Sequence, residues 1–150
     1  MKKVLSVLIL SLSIFIIGCS KNGETTVSND TANKKFEQYN ILGISEIEID
    51  ATEEYEGDEY IRAKSKITNN SKDIVKDITV DFSGFKDNTI IDSQSPFEGG
   101  SINSGQSVVM EGLFFRADDL DDIQINTYSY TIGDTYCEVD LISKTVDIYE

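Results

Sequence analysis

From residue 41 onward apolar and polar side chains alternate with a period of two, and turn-forming residues break the alternation at short intervals. A period of two sends alternate side chains to opposite faces of a strand, and no segment sustains the helical period of 3.6, so the pattern predicts antiparallel sheet. Residues 44–50 predict a first strand with Ile47 and Ile49 on one face. Residues 60–68 predict a second, with Ile61, Ala63, Ser65 and Ile67 facing a core and Arg62, Lys64 and Lys66 facing water. After a turn at Asn69-Asn70-Ser71, residues 74–82 point Ile78, Val80 and Phe82 inward and Asp77, Thr79 and Asp81 outward.

Ser83-Gly84 predicts a weak or bent strand end, and residues 89–92 a short strand. Turns are expected at Gly99-Gly100 and Ser104-Gly105. Residues 106–116 form a long strand with Val108, Met110 and Phe114 on one face, while Val109, Leu113 and Phe115 make the other face largely apolar too. An acidic turn at 117–122 leads into residues 123–132, where Ile123 and Ile125 alternate with Gln124 and Asn126. Residues 135–142 bring Cys137, Val139 and Leu141 together, and residues 145–149 continue or add a strand. Six to eight short strands in about 110 residues predict an all-β domain over 41–150: a two-layer antiparallel sandwich, immunoglobulin-like but without paired Cys or a core Trp.

The first forty residues follow other rules. Met1-Lys2-Lys3 is basic, and residues 4–17 are apolar except for Ser6, Ser11 and Ser13, the pattern of a signal peptide. As a helix this run reaches about 21 Å, short of the roughly 30 Å hydrocarbon core of a bilayer. It ends in Ile16-Ile17-Gly18-Cys19-Ser20, which resembles the lipobox of bacterial lipoproteins, with Ile16 where Leu is more usual. The resemblance implies cleavage between Gly18 and Cys19 and thioether attachment of diacylglycerol to Cys19, with acyl chains such as palmitate. One acyl chain binds a membrane marginally and two hold it stably, so the expected product is a tethered, extracytoplasmic protein. The anchor lies in the cell membrane, or in the outer membrane if the source has two; the Lys, Asn and Ile bias of the chain favours the former. Residues 1–18 are then the leader. Residues 19–40, polar until Phe36, are the lipidated Cys and a disordered tether spanning about 25 Å.

Charge and composition narrow the function. Thirteen basic residues stand against 27 acidic ones, a formal charge of −14, and loss of Lys2 and Lys3 with the leader takes it to −16. Such a charge repels phosphate backbones, so nucleic acid is not an expected partner. The chain contains no His, which excludes Ser-His-Asp and Cys-His catalysis and every His-ligated metal site. Lipidation of Cys19 leaves Cys137 without an intramolecular partner, so the domain stands on its core without a disulfide.

Residues 63–132 carry a second resemblance. Lys66-Ile67-Thr68-Asn69-Asn70-Ser71, the strand Ile78-Thr79-Val80-Asp81-Phe82, the turn Phe85-Lys86-Asp87-Asn88 before Ile90-Ile91, and Ile102-Asn103-Ser104-Gly105-Gln106 resemble the FxLYD-type immunoglobulin-like domains of bacterial lipoproteins. Ser83-Gly84, and Thr89 in place of Gly, depart from that pattern. The resemblance implies an envelope module without catalysis, a cofactor or transferable site residues.

Carboxylates gather in residues 53–59 and at Asp118, Asp119, Asp121 and Asp122, and a hard cation such as Ca²⁺ takes oxygen ligands of this type. Neither run has EF-hand spacing, and both also serve as solvated turns that discourage edge pairing. Ser83-Gly84-Phe85-Lys86 has Ser-x-x-Lys spacing, but no helix and no partner motif accompanies it. Cys137 shares the apolar face of Val139 and is expected to be buried. Tyr128 and Tyr130 share a strand face, expected to be the outer one, and are candidates for stacking on a partner. The expected function is non-catalytic: a lipid-anchored module that binds an envelope protein or cell-wall component, with an acidic surface suited to a basic partner. The alternative is a calcium-dependent structural or adhesive domain.

Overall fold

The computed structural model describes residues 29–50, 53–55, 57–115 and 119–150. It is mostly β, with one short helix and two antiparallel sheets packed together. The axis of the first sheet is β4 (Asp58–Asn69), in which Ile61, Ala63, Ser65 and Ile67 are buried as the alternation predicts. One side of β4 pairs with β8 (Ser107–Phe115) over residues 60–68. The other side takes three short strands in tandem: β1 (Leu42–Ile44), β2 (Glu48–Ile49) and β3 (Glu53–Tyr55). The predicted single strand over 44–50 is thus broken. Ser45 Oγ accepts the Lys66 N–H at 2.9 Å, a donor that a regular ladder would pair with a backbone carbonyl, and the chain leaves the sheet there.

The second sheet runs in the order β11 (Thr145–Tyr149), β10 (Thr135–Asp140), β9 (Asp122–Ile132), β5 (Val75–Lys86). The far edge of β5 is shared by β6 (Thr89–Gln94) and β7 (Phe97–Ile102). The expected Gly99-Gly100 turn is part of β7; the chain's single proline, Pro96, separates β6 from β7 because it cannot donate to a ladder. Ser83-Gly84 does not end β5, although the pairing with β6 shifts register after Gly84. A Cβ at Gly84 would lie 3.2 Å from the Phe114 ring of β8 and 2.8 Å from Leu120 Cδ2, so glycine gives these two side chains room against β5.

At any height the first sheet is three strands wide and the second five. The inner faces of β10 and β11 therefore reach beyond the first sheet. Helix α1 (Asn29–Tyr39) covers them, packing on both strands. Phe36 and Tyr39, three residues apart on one helix face, meet the core, and Lys35 Nζ donates to the Val146 carbonyl at 2.8 Å. An isolated helix of this length is marginal in water, so packing holds it. The expected tether over 19–40 is corrected for its second half, where α1 runs from Asn29 to Tyr39. The segment is polar in composition, but its two aromatics stand at helical spacing opposite an uncovered apolar face.

Asn69 joins the β4–β5 turn to the β7–β8 turn. It is fully buried and uses every polar atom it has. Its side-chain N–H groups donate to the carbonyls of Asp73 (2.8 Å) and Ile102 (3.0 Å), and its Oδ1 accepts from Ser71 N–H (2.9 Å) and Ser71 Oγ (2.7 Å). Its backbone N–H donates to Gln106 and its carbonyl accepts from Gly105. Replacing Asn69 by Ala removes four side-chain bonds and strands at least the buried Ile102 carbonyl. We expect a loss of about 2–4 kcal/mol in urea unfolding with an unchanged slope; a loss below about 0.5 kcal/mol would show the turns hold without it.

Candidate functional site

The sequence-predicted residues do not converge on one place. Gly18, Cys19 and Asp118 lie outside the described residues. Asp119, Asp121 and Asp122 precede or begin β9; Asp121 ties this turn to the β5–β6 turn, and Asp122 bonds within its own strand end. Asp121 Oδ2 accepts the Asp87 N–H at 2.9 Å and Oδ1 pairs with Lys86 Nζ at 3.4 Å. Asp122 accepts from Ile123 N–H (2.9 Å) and Gln124 Nε2 (2.7 Å). Among the described residues no three acidic or thiol side chains are grouped to hold a metal ion. Of the other acidic run, Glu54 and Glu59 pair across the β3–β4 ladder and are exposed.

Tyr128 and Tyr130 are not on the outer face. Both are buried, 1% and 0% exposed, and stacked with ring centroids 6.1 Å apart. The cause is a bulge: Phe82 pairs with Ile125 and Asp81 with Thr127, which makes Asn126 an extra residue. One extra residue exchanges the faces of everything beyond it, so the even-numbered positions that face out before Asn126 face in after it. The phenols then need partners in the interior. Tyr128 donates to Asn40 Oδ1 at 2.7 Å and Tyr130 to the Tyr39 carbonyl at 2.8 Å, both at the end of α1. Burial pushes both phenols above their ordinary range. As partner-stacking residues they are corrected to core.

Cys137 is buried opposite Tyr130 in the β9–β10 ladder, as its alternation predicts, and burial raises its thiol. Ser83 and Lys86 both sit in β5. A strand rises about 3.3 Å per residue, so these residues stand roughly 10 Å apart along it and do not meet.

The feature that most resembles a functional surface is the side of the sandwich opposite α1. There the edges of the two sheets, β6 and β7 above β8, lie next to one another. Of the eleven large apolar side chains that are exposed among the described residues, six lie on these three strands: Ile90, Ile91, Phe97, Val109, Leu113 and Phe115. Phe115 is half-exposed and its ring contacts Tyr60 at 6.1 Å. Ile91, Phe115 and Leu120 line a hollow of about 230 Å³ whose rim carries Asp92 and Asp119. Along β8 the row Val109, Glu111, Leu113, Phe115 faces outward beside Lys66, Lys64, Arg62 and Tyr60 of β4. Two of its three cations are neutralised locally: Lys64 Nζ is 2.6 Å from Asp50 and 3.7 Å from Glu111, and Arg62 Nε is 3.5 Å from Glu111. The hydrogen bond to Asp50 is the chief cause of the raised pKa of Lys64. The sequence signal for this surface is the apolar character of both faces of residues 106–116. No protein-family model, curated protein or solved structure matches the chain.

The acidic turn makes a pH prediction. The Asp87 N–H, aided by Lys86, holds the Asp121 carboxyl below its ordinary value. A depressed carboxyl stabilises the fold above its unfolded pKa and loses that contribution as pH falls through the folded one. The melting temperature of Asp121→Ala should therefore lie below that of the natural chain at pH 7, with the gap narrowing below about pH 4. A gap independent of pH would assign the loss to packing instead.

Proposed function

We propose that the chain is a lipid-anchored, non-catalytic binding module of the bacterial envelope that faces outside the cytoplasm and takes a basic protein partner. The observation that carries this proposal is the N-terminal sequence, in which a basic start and an apolar run end on Ile16-Ile17-Gly18-Cys19. The rest of the chain is compatible with it. A polar stretch follows Cys19, and the domain brings a charge of −14, or −16 after processing, to whatever it meets. Clefts and faces of one sign attract partners of the other and accelerate encounter, so a cationic protein is favoured over nucleic acid or anionic lipid. The proposal of a non-catalytic role rests on the absence of His from the sequence.

The strand order supports the finer fold assignment. In an immunoglobulin-like sandwich one sheet contains strands A, B and E and the other G, F and C. Here β1–β3, β4 and β8 take the first set of places and β10, β9 and β5 the second, with β6 next to β5 and β11 added beyond β10. The narrower likeness to FxLYD-type domains rests on the stretches quoted from residues 63–132, among them 66–71, where Asn69 is the buried hub of the turn.

Two measurements test the proposal. Metabolic labelling with a fatty-acid probe should mark the natural chain and leave Cys19→Ser unlabelled and released from the membrane. The mature chain, bound to envelope extract at low salt, should give up a basic protein at moderate salt, because surface charge pairs are screened there. A label that survives Cys19→Ser, or a captured protein that is acidic and indifferent to salt, would overturn it.

A further inference from the structure

The mature chain has to hold its partner somewhere, and β8 offers a place. One edge of this nine-residue strand is paired with β4 along nearly its whole length. Among the described residues, its other edge pairs with no strand. Proteins commonly protect such an edge with charge, proline or a covering element, because an open row of N–H and C=O groups accepts another strand. Here the outward row carries Val109, Leu113 and Phe115, which are 55%, 40% and 50% exposed, and Glu111 as its single charge.

We propose that the free edge of β8 takes an extended segment of the partner, alternating basic and apolar residues, as an added strand. The proposal rests on the binding role given above and names the surface and the partner chemistry. Main-chain hydrogen bonds would supply affinity, and the alternate side chains would supply selectivity. The apolar positions of the incoming strand would continue the row of Leu113 and Phe115. Its basic positions would meet the carboxylates at the Phe115 end of the row, Asp92 and Asp119 around the hollow. Of the cations beside the row, Lys64 and Arg62 are already engaged with Asp50 and Glu111, so basic positions of the incoming strand are favoured at the Leu113–Phe115 end, away from Lys66 beside Val109. A second copy fits less well. Symmetric antiparallel pairing of Ser107–Phe115 about its midpoint would set Glu111 against Glu111, and each copy brings a charge of −14 or more.

The test uses the mature chain and three dye-labelled ten-residue peptides: alternating Lys and Val, alternating Glu and Val, and the Lys-Val peptide with two internal Val replaced by Pro. Fluorescence anisotropy should show the Lys-Val peptide binding about tenfold or more tightly than the other two, with affinity falling as salt rises. Amide hydrogen exchange should slow at β8 when it binds. Leu113→Lys and Phe115→Lys, both at exposed positions, should keep the melting temperature and weaken the peptide about tenfold. Several results would overturn the proposal: no binding at millimolar peptide, equal binding by the Pro peptide or the Lys variants, or slowed exchange on another element. So would slow exchange, in the free chain, of the β8 amides that point away from β4, the sign of a second copy or a segment of this chain on the edge. If a salt-released basic protein still binds Leu113→Lys equally well, the binding role stands and the edge assignment fails. If the peptide adds to β8 but no basic protein is captured from the envelope, the edge stands and the role fails.

Discussion

A five-strand-wide sheet packed on a three-strand-wide one leaves apolar surface bare at both ends, and the rest of this molecule follows from how each end is treated. At the β10–β11 end the answer is α1. It sits where another strand of the first sheet would otherwise have to be, and it brings more than apolar cover. Stacked under it, Tyr128 and Tyr130 have hydroxyls that a hydrocarbon lid would strand at about 1–3 kcal/mol each. The last turn of the helix and Asn40 supply the acceptors. Cys137, Val139 and Val146 are buried in the same region, so a short polar segment closes a large share of the core.

The other end has no such cover. β6, β7 and β8 leave their edges and several large apolar side chains in solvent, on a chain whose surface is otherwise dominated by carboxylates. Much of that acid does local work. Asp121 fixes the turn of β5 to the start of β9, and Asp140, its carboxyl lowered mainly by the Ser143 N–H, closes the β10–β11 turn. In the proposed role the asymmetry has a use, because the anchored chain enters at the closed end. The ten residues from Cys19 to Asn29 span at most about 35 Å when fully extended. That stretch is shorter than composition implies, because the helix takes up the remainder.

Most strands were legible because both faces of a half-buried sheet are written in alternate residues, as β4 and β8 show. The failures are local and share a cause: a backbone event that carries little composition. Asn126 is one residue among polar neighbours, yet as the bulge it inverts the rest of β9 and turns a candidate partner surface into core. Ser45 ends β1 through a hydroxyl bond to Lys66, which no periodicity reveals. For α1 only Phe36 and Tyr39 speak, and their meaning depends on a width mismatch between sheets that no single segment encodes. The open edge of β8 was foreshadowed by an apolar outer face, while the absence of a neighbouring strand is a property of topology alone.

Helix α1 completes the sandwich, and the Cys137 thiol in the region it covers reports this directly. The rate at which a thiol-specific reagent modifies Cys137 should be compared between residues 20–150 and residues 41–150, at neutral pH without denaturant. With α1 in place the thiol should be modified only at the rate of unfolding, and at least about tenfold faster once the helix is gone, with the sheets otherwise retained by circular dichroism. Equal protection in both chains would show that the sheets bury Cys137 unaided and that α1 is not needed to complete the core.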